Sequence, residues 1–288
     1  MDRTELDRPS LVETGFRRLT YPHQEFLFVA EVTRMLVEKG IVNNAVSLEE
    51  LHKHIPPKDQ VVNAHYMNNV VDQFYETSTR FRELYFGLIK YIHREYFQYD
   101  FIFQAIPNFR FHFPVHFGEA FRNKRNKDGV FLGQHSDTML GHSFEEVNFW
   151  LPLTECRASN ALHMSDLASG IQVIGRVFDD IGWDSDVYHT AGREHFHKRL
   201  FSDDDFQSLV VRSTKPVDMK IGEFIAFDPR CLHGPVENTE GRTRVSLDFR
   251  IIPLHRYEHA KHYRSQGKSK RKFVRGDVFF QVSASELE

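Results

Sequence analysis

The chain has 288 residues, a length that a single β-barrel or sandwich with added helices commonly reaches, so we expect one domain. Its 37 Lys and Arg residues nearly balance its 40 Asp and Glu residues, and the net charge of −3 does not favour nucleic acid or an anionic membrane as a partner. Two cysteines exclude a disulfide framework, and neither a secretory signal nor a membrane-spanning run is evident. We therefore expect a cytoplasmic protein that acts on a small molecule, and the sequence leaves open whether it is a homo-oligomer.

Helical patterns dominate the first third of the chain. Apolar residues recur at helical spacing from about Pro22 to Gly40 and again from about Val61 to Tyr96. Between them, Ser47 begins a Ser-Leu-Glu-Glu run that is typical of a capping box, so a short helix should start there. Residues 1–98 are therefore predicted to form a mainly helical support.

From residue 99 onward the apolar pattern changes to the two-residue period of strands. In Asn108–Phe117 the odd positions are apolar, whereas the even positions include Arg110 and His112, which could hold a charged group of a substrate. Further strands are predicted at 147–153, 171–174, 209–211, 223–227 and 244–252. Helices followed by many strands predict an α+β fold around an antiparallel β-sandwich or double-sheet jelly roll.

Within a single domain over residues 1–288, the jelly-roll core is expected at 99–255. A polar, acidic stretch at about 176–208 predicts an insertion, either a lid near the site or a solvated surface loop. A C-terminal extension follows at 256–288. Its basic run, 268–272, is too short and too isolated to indicate nucleic-acid binding.

Three residues form a candidate metal site. His135 and Asp137 are one residue apart, so in an extended segment both side chains point to the same side. His233 follows an apolar strand and a turn, and Gly234 beside it would allow a close approach of another backbone segment. Two imidazoles and one carboxylate leave one side of a metal open, which suits Fe(II) enzymes that bind a co-substrate and O2 together. The alternative for His233 is an ordinary surface histidine.

The last predicted strand of the core has one wholly polar face. The polar side chains alternate along it at Arg244, Ser246, Asp248 and Arg250. Such a face is either solvated at a sheet edge or lines a ligand-binding barrel, and the nearby His233 favours the barrel. Arg offers planar, bidentate donors to a carboxylate, and the Ser246 hydroxyl on the same face can add another donor. Arg244 is therefore predicted to anchor a dicarboxylate co-substrate.

Four other residues need an interpretation. Asn148 is a candidate contact to the co-substrate or to a metal ligand, with a buried structural amide as the alternative. Trp150 lies on the same strand face and is a candidate substrate contact. His195 and His197 form a second His-x-His pair, but no carboxylate stands at ligand spacing, so we expect exposed histidines there.

These motifs resemble the Fe(II)/2-oxoglutarate-dependent oxygenases. The resemblance rests on His135-x-Asp137, on His233, on Arg244-x-Ser246 and on the run Phe149–Leu153, and it covers roughly residues 111–252. Within that superfamily, the run Thr243–Arg250 resembles the streptomycin-biosynthesis type of bacterial specialised metabolism.

The resemblance implies a double-stranded β-helix, a jelly-roll or cupin-like core, with Fe(II) at its mouth. The iron ligands would be His135, Asp137 and His233. The co-substrate 2-oxoglutarate would bind the iron and reach Arg244 and Ser246 with its distal carboxylate, and O2 would be the oxidant.

The implied reaction is hydroxylation of an unactivated C–H bond in a small polar metabolite, such as an amino acid or a sugar-derived compound, with succinate and CO2 as co-products. In the related halogenases a small residue at the position of Asp137 leaves room for chloride, so the carboxylate favours hydroxylation. Desaturation, cyclisation and epimerisation stay open. A cupin-like metalloenzyme without 2-oxoglutarate would not need Arg244, and a non-catalytic ligand-binding jelly roll would not need all three ligands.

Overall fold

The computed structural model describes residues 11, 14–55, 78–97, 99–115, 133–140, 142–181, 191–257 and 279–282, which contain both helices and strands. The α-helices are α1 (Phe28–Glu38), α2 (Thr79–Tyr96), α3 (Leu167–Ile181), α4 (Ala191–Ser202) and α5 (Asp204–Ser213). Short 3-10 helices occupy Leu48–Lys53, Asp137–Leu140 and Ala158–Asn160. The strands are β1 (Phe16–Thr20), β2 (Phe101–Gln104), β3 (Asn108–His112), β4 (Val147–Pro152), β5 (Leu162–Met164), β6 (Lys215–Val217), β7 (Glu223–Phe227), β8 (His233–Gly234), β9 (Arg244–Pro253) and β10 (Phe279–Val282).

The described strands pair antiparallel in two sheets. The larger sheet has seven strands in the order β1-β7-β4-β9-β2-β10, with β3 also paired to β9, and the smaller sheet has the order β6-β5-β8. The ten-residue β9 pairs with β4 along one edge and with β2 and β3 in tandem along the other. An apolar cluster that includes Trp150 and Ile225 of the larger sheet and Leu162 and Met164 of the smaller one joins the two sheets. The predicted α+β fold with a jelly-roll core is confirmed.

The larger sheet is buried on both faces, because helices cover one face and the smaller sheet covers the other. Its outer face carries Phe149, Val245, Leu247 and Phe249, which pack in one core with residues of α1 and α2. The rings of Phe149 and Phe249 stack with centroids 4.9 Å apart. Burial of each such ring contributes about 1.5–3 kcal/mol to folding. The polar side chains of β9 therefore point to the opposite side, into the space between the sheets, and this face is not a solvated edge.

The N-terminal third departs from the helical prediction at one strand. The first predicted helix is present as α1, and Ser47 caps the 3-10 helix that follows, its hydroxyl accepting a hydrogen bond from the Glu49 N–H. The third predicted helix, from about residue 61 to residue 96, is present as α2 from Thr79 onward. The earlier part of that prediction, residues 61–77, lies outside the described residues. Strand β1, which the periodicity did not indicate, pairs with β7 at the edge of the larger sheet.

The strands predicted at 171–174 and 209–211 are wrong, because these residues lie in α3 and α5. A short apolar run does not reveal its period, and tertiary packing decides between helix and strand. Helices α3 to α5 share an apolar cluster whose members are Met139, Val173, Ile174, Val177, Phe178, Phe196, Leu200, Phe206, Leu209, Val210 and Leu232. In place of the predicted loop, much of 176–208 is thus helical, with 182–190 outside the described residues. In the described part of the chain, no helix is both long and apolar enough to cross a membrane.

Candidate metal centre

Backbone pairing brings the two candidate histidines together. His135 and His233 form an isolated antiparallel bridge in which each N–H donates to the other residue's carbonyl, at 2.9 and 2.8 Å. Directly paired residues of antiparallel segments project their side chains to the same face. The two imidazole centroids are consequently 4.6 Å apart.

Gly234 permits this pairing. A Cβ at this position would lie 2.3 Å from the carbonyl oxygen of Gly133 and 2.9 Å from the Cα of Gln134, which is closer than two non-bonded atoms can approach. Any other residue would push the two segments apart. The close backbone approach predicted from the His-Gly pair is therefore present.

Three ligand atoms converge beside this bridge. The Oδ1 atom of Asp137 lies 3.7 Å from Nε2 of His135 and 3.6 Å from Nε2 of His233. The ligand atoms of the three residues all lie within 4.8 Å of one another, so one ion could contact all three. Among the described residues this is the one such group of His, Cys, Asp and Glu.

A backbone carbonyl fixes the orientation of each imidazole. Nδ1 of His135 lies 3.1 Å from the Gly133 carbonyl oxygen, and Nδ1 of His233 lies 3.0 Å from that of Cys231. A carbonyl can only accept, so in both rings Nδ1 carries the proton. A neutral ring with this tautomer has its lone pair on Nε2, the atom that faces Asp137.

The other oxygen of Asp137 is surrounded by donors. Oδ2 accepts from Nε and Nη2 of Arg250, at 3.0 and 2.6 Å, and from Nδ2 of Asn148, at 3.0 Å. Burial alone would raise the pKa of the Asp137 carboxyl, but the positive charge of Arg250 and the nearby imidazoles hold this pKa well below its usual range. Asp137 is thus a buried carboxylate that stays ionised. The contact of Asn148 is to this candidate metal ligand.

Arg250 is a functional candidate that the sequence reasoning missed. The alternation of β9 places it on the polar face, but nothing in the sequence spacing relates it to Asp137. The sequence feature that points to Arg250 is its even spacing from Arg244, because an even spacing places both arginines on the same, inner face of β9.

Arg244 lies buried at the start of β9 with an incomplete set of partners. Its Nη1 donates to the carbonyl oxygens of Asn160 and Ala161, at 3.1 and 3.0 Å. Among the described residues, its buried Nε has no hydrogen-bond partner, and no carboxylate forms an ion pair with its guanidinium. Burial lowers the pKa of Arg244 to about 10, which leaves the group charged at neutral pH. A buried guanidinium with a free donor fits a ligand carboxylate.

Ser246 and Trp150 stand next to Arg244. The indole Nε1 of Trp150 donates to Oγ of Ser246 at 3.1 Å, and the Arg244 guanidinium lies 5.6 Å from the centroid of the Trp150 ring. Because Oγ of Ser246 is an acceptor in this bond, its own O–H remains able to donate to a ligand. Trp150 thus lies next to Arg244 and Ser246, the two residues predicted to bind the co-substrate.

The two residues predicted on the polar face of β3 differ in their surroundings. Arg110 is half exposed and pairs with Asp248, its Nε donating to Oδ1 at 2.7 Å. His112 is buried opposite Arg244, and burial together with that cation holds its pKa well below the ordinary value. His112 is therefore neutral at ordinary pH. Arg110 keeps its charge.

The second histidine pair lies on α4. His195 is on α4, where its Nε2 lies 3.0 Å from Oδ2 of Asp180 at the protein surface. Arg199 also contacts that Asp180 oxygen. The carboxylate absent from the local sequence is supplied by α3, but the arrangement is a surface ion-pair cluster.

Comparisons with known proteins give one curated relative. No known protein-family model matches the sequence. Over 157 residues the chain is 26% identical to the streptomycin biosynthesis protein StrG of Streptomyces griseus. The alignment covers 54% of this chain and 48% of that protein, so the chain spans about half the length of this relative. The predicted resemblance to the streptomycin-biosynthesis type is confirmed by this match.

Two solved structures illustrate the structural likeness. One is SnoK, described as a non-haem α-ketoglutarate-dependent carbocyclase from nogalamycin biosynthesis, with 11% identity, a TM-score of 0.46 and coverage of 96% of this chain and 97% of that one. The other is EctD from S. alaskensis in its apo form, with 12% identity, a TM-score of 0.45 and coverage of 88% and 80%.

Proposed function

We propose that the chain is an Fe(II)- and 2-oxoglutarate-dependent oxygenase that hydroxylates a small polar metabolite of specialised metabolism. The observation that carries the proposal is the convergence of two imidazole Nε2 atoms and one carboxylate oxygen within 4.8 Å. This donor set holds a metal on one side and leaves other coordination positions for a co-substrate and O2. His135, Asp137 and His233 would be the metal ligands.

The protein's own groups fit the ion. The ring N–H of each histidine is tied to a backbone carbonyl, so the lone pairs on Nε2 are available without any change of tautomer. The carboxylate of Asp137 stays ionised and so offers a negatively charged ligand to the cation. Fe(II), when bound with 2-oxoglutarate and O2, supplies the oxidation of a C–H bond with succinate and CO2 as co-products.

Arg244 supports the assignment of 2-oxoglutarate as co-substrate. A buried cation without a described carboxylate partner is costly for the protein alone, and a dicarboxylate would supply the missing partner. Ser246 can add its hydroxyl, whereas Trp150 orients both groups. A metalloenzyme with no second carboxylate to bind would have no need of this arrangement, and a binding module would not need the three ligands as well.

Hydroxylation is preferred to halogenation because Asp137 occupies the position that a halide would need. Desaturation, cyclisation or epimerisation would use the same residues. Arg110, which is charged and half exposed on β3, is proposed as a contact to the substrate.

The described parts of the chain are proposed to form a single domain, because β1 and β10 join the same sheet.

An anaerobic titration tests the proposal. Addition of Fe(II) and then 2-oxoglutarate to the purified protein should produce a visible metal-to-ligand charge-transfer band, and admission of O2 should then yield succinate. With a substrate not yet identified, succinate forms slowly through uncoupled turnover. Absence of both the band and succinate would overturn the proposed function.

A further inference from the structure

Behind the candidate metal ligand Asp137 lies the buried guanidinium of Arg250. Arg250 has only 6% of its surface exposed, and its Nε and Nη2 both donate to the same oxygen of Asp137, Oδ2. The Nδ2 of Asn148 donates to that oxygen as well. Oδ2 thus has three donors, while Oδ1 faces the two imidazoles.

We propose that Arg250 is a positioning residue which, with Asn148, commits Asp137 to bind the metal through Oδ1 alone. This inference rests on the proposed metal site. A carboxylate that is free to turn about its Cβ–Cγ bond can offer either oxygen, or both, to a metal. The three hydrogen bonds to Oδ2 oppose that rotation, because any turn breaks charge-assisted bonds in a dry interior. A monodentate carboxylate occupies a single coordination position and leaves more of the metal open.

Arg250 is itself held in place from the far side. Its Nη1 lies 3.3 Å from Oε1 of Gln104 and 3.6 Å from Oδ2 of Asp248. Its Nε also lies 3.6 Å from Oε2 of Glu146, a buried carboxylate that is in turn 2.8 Å from Nδ1 of His142. These contacts oppose a movement of the guanidinium with Asp137. Strands β2 and β9, which carry Gln104 and Asp248, thus help to fix the orientation of the Asp137 carboxylate.

A second role is open to the same residue, and the two roles predict different results. Arg250 stands among three carboxylates, those of Asp137, Asp248 and Glu146, and could serve only to neutralise them. Charge alone would be restored by Lys, which carries the same charge on a flexible stem. Orientation would not be restored, since Lys lacks the planar fork that places two donors on one oxygen.

The experiment measures Co(II) binding to the purified full chain without O2 or 2-oxoglutarate. Affinity comes from a titration, and coordination comes from the intensity of the visible d–d absorption, which falls as the coordination number rises. Arg250→Met should weaken Co(II) binding about 10- to 100-fold, the usual effect of losing a partner that orients a metal ligand. Arg250→Lys should recover only part of that loss and should keep the altered spectrum. Asn148→Ala, which removes one of the three donors, should show a smaller change in the same direction.

Arg34→Met is the matched control. Arg34 holds the buried carboxylate of Glu31 in α1, far from β9 in the sequence, so its loss tests whether removal of any arginine from a buried carboxylate disturbs the centre. This variant should bind Co(II) with the affinity and spectrum of the unaltered chain.

Two results would overturn the inference. Wild-type affinity and spectrum in Arg250→Met would show that Arg250 does not position the ligand, and full recovery of both in Arg250→Lys would leave it a neutralising role only. If Arg250→Met does not fold, the Co(II) spectra of Arg250→Lys and Asn148→Ala test the inference instead. Wild-type spectra in both variants would overturn it. Failure of the unaltered chain to bind Co(II) would instead overturn the proposed metal site, and that result is distinct from the other two.

Discussion

The inner face of β9 carries two buried arginines, Arg244 at its start and Arg250 six residues on, and the two have opposite surroundings. Arg250 lies among three carboxylates, which raise its pKa above the ordinary value against the effect of burial. Arg244 donates only to two backbone carbonyls from Nη1, its Nε has no described partner, and burial lowers its pKa to about 10. Arg250 thus compensates carboxylates of the protein itself, whereas Arg244 keeps a donor that is available to a ligand.

The contrast shows how to distinguish a structural cation from one that awaits a ligand. A buried charge that is fully paired belongs to the protein's own architecture, as Arg250 does with Asp137. A buried charge with free donor capacity is stabilised only when a ligand brings the opposite charge. The charge of Arg250 is therefore compensated by the protein alone, whereas the charge of Arg244 would be compensated by the proposed co-substrate.

The largest effect is expected at the metal end. His233→Ala removes one of the three ligand atoms, so stoichiometric binding of Fe(II) or Co(II) should be lost, together with succinate formation. His195→Ala, which removes an imidazole paired with Asp180 on the surface, should retain both. Metal content after gel filtration, combined with a succinate assay, measures the outcome. Retention of one tightly bound ion in His233→Ala would contradict the assigned ligand set.

Matched substitutions at the two arginines should differ in stability. Arg250→Met leaves buried carboxylates uncompensated and should lower the free energy of unfolding of the metal-free protein by about 3–5 kcal/mol. Arg244→Met removes a poorly paired buried cation and loses two hydrogen bonds to carbonyls, so its net change should be within about 1 kcal/mol. Urea unfolding of both variants measures the difference. Equal losses would remove the distinction between the two ends.

The same Arg244→Met variant should be impaired in co-substrate binding. Loss of charge-assisted hydrogen bonds to a carboxylate costs about 2 kcal/mol, or roughly a 30-fold increase in the Kd of 2-oxoglutarate. Co(II) affinity should be unchanged, because Arg244 does not contact the metal ligands. Titration of the charge-transfer band with 2-oxoglutarate gives the Kd. Parallel loss of metal affinity would show that its role is wrongly assigned.

The smallest effect is expected at Trp150, which contacts Arg244 and Ser246. Trp150→Phe keeps an aromatic ring near the guanidinium but removes the Nε1 donor to Ser246. The loss of one neutral hydrogen bond, about 1 kcal/mol, should raise the Kd of 2-oxoglutarate roughly fivefold. The same titration measures it. A loss as large as that of Arg244→Met would indicate that Trp150 contacts the co-substrate directly.

Local sequence patterns were reliable where they concern one strand or one tight contact. The alternation in Arg244–Ile252 correctly separates a core face from a polar face, because side chains of a strand must alternate. Gly234 marked the close backbone approach because only glycine fits there. Patterns failed for apolar runs such as 171–174, where four residues are too few to show a period and the packing of three helices decides.

The sequence by itself determined the types of group available for chemistry and the face of β9 on which Arg244, Ser246 and Arg250 lie. The tertiary structure alone decided which of those groups are already paired. The bond from Arg250 to Asp137, the pairing of Arg110 with Asp248 and the burial of His112 beside Arg244 all join segments that are distant in the chain. Side-chain type and spacing do not encode such pairs. Charge compensation in a buried site depends on distances of a few ångströms between separate strands, and only the packed sheets set those distances.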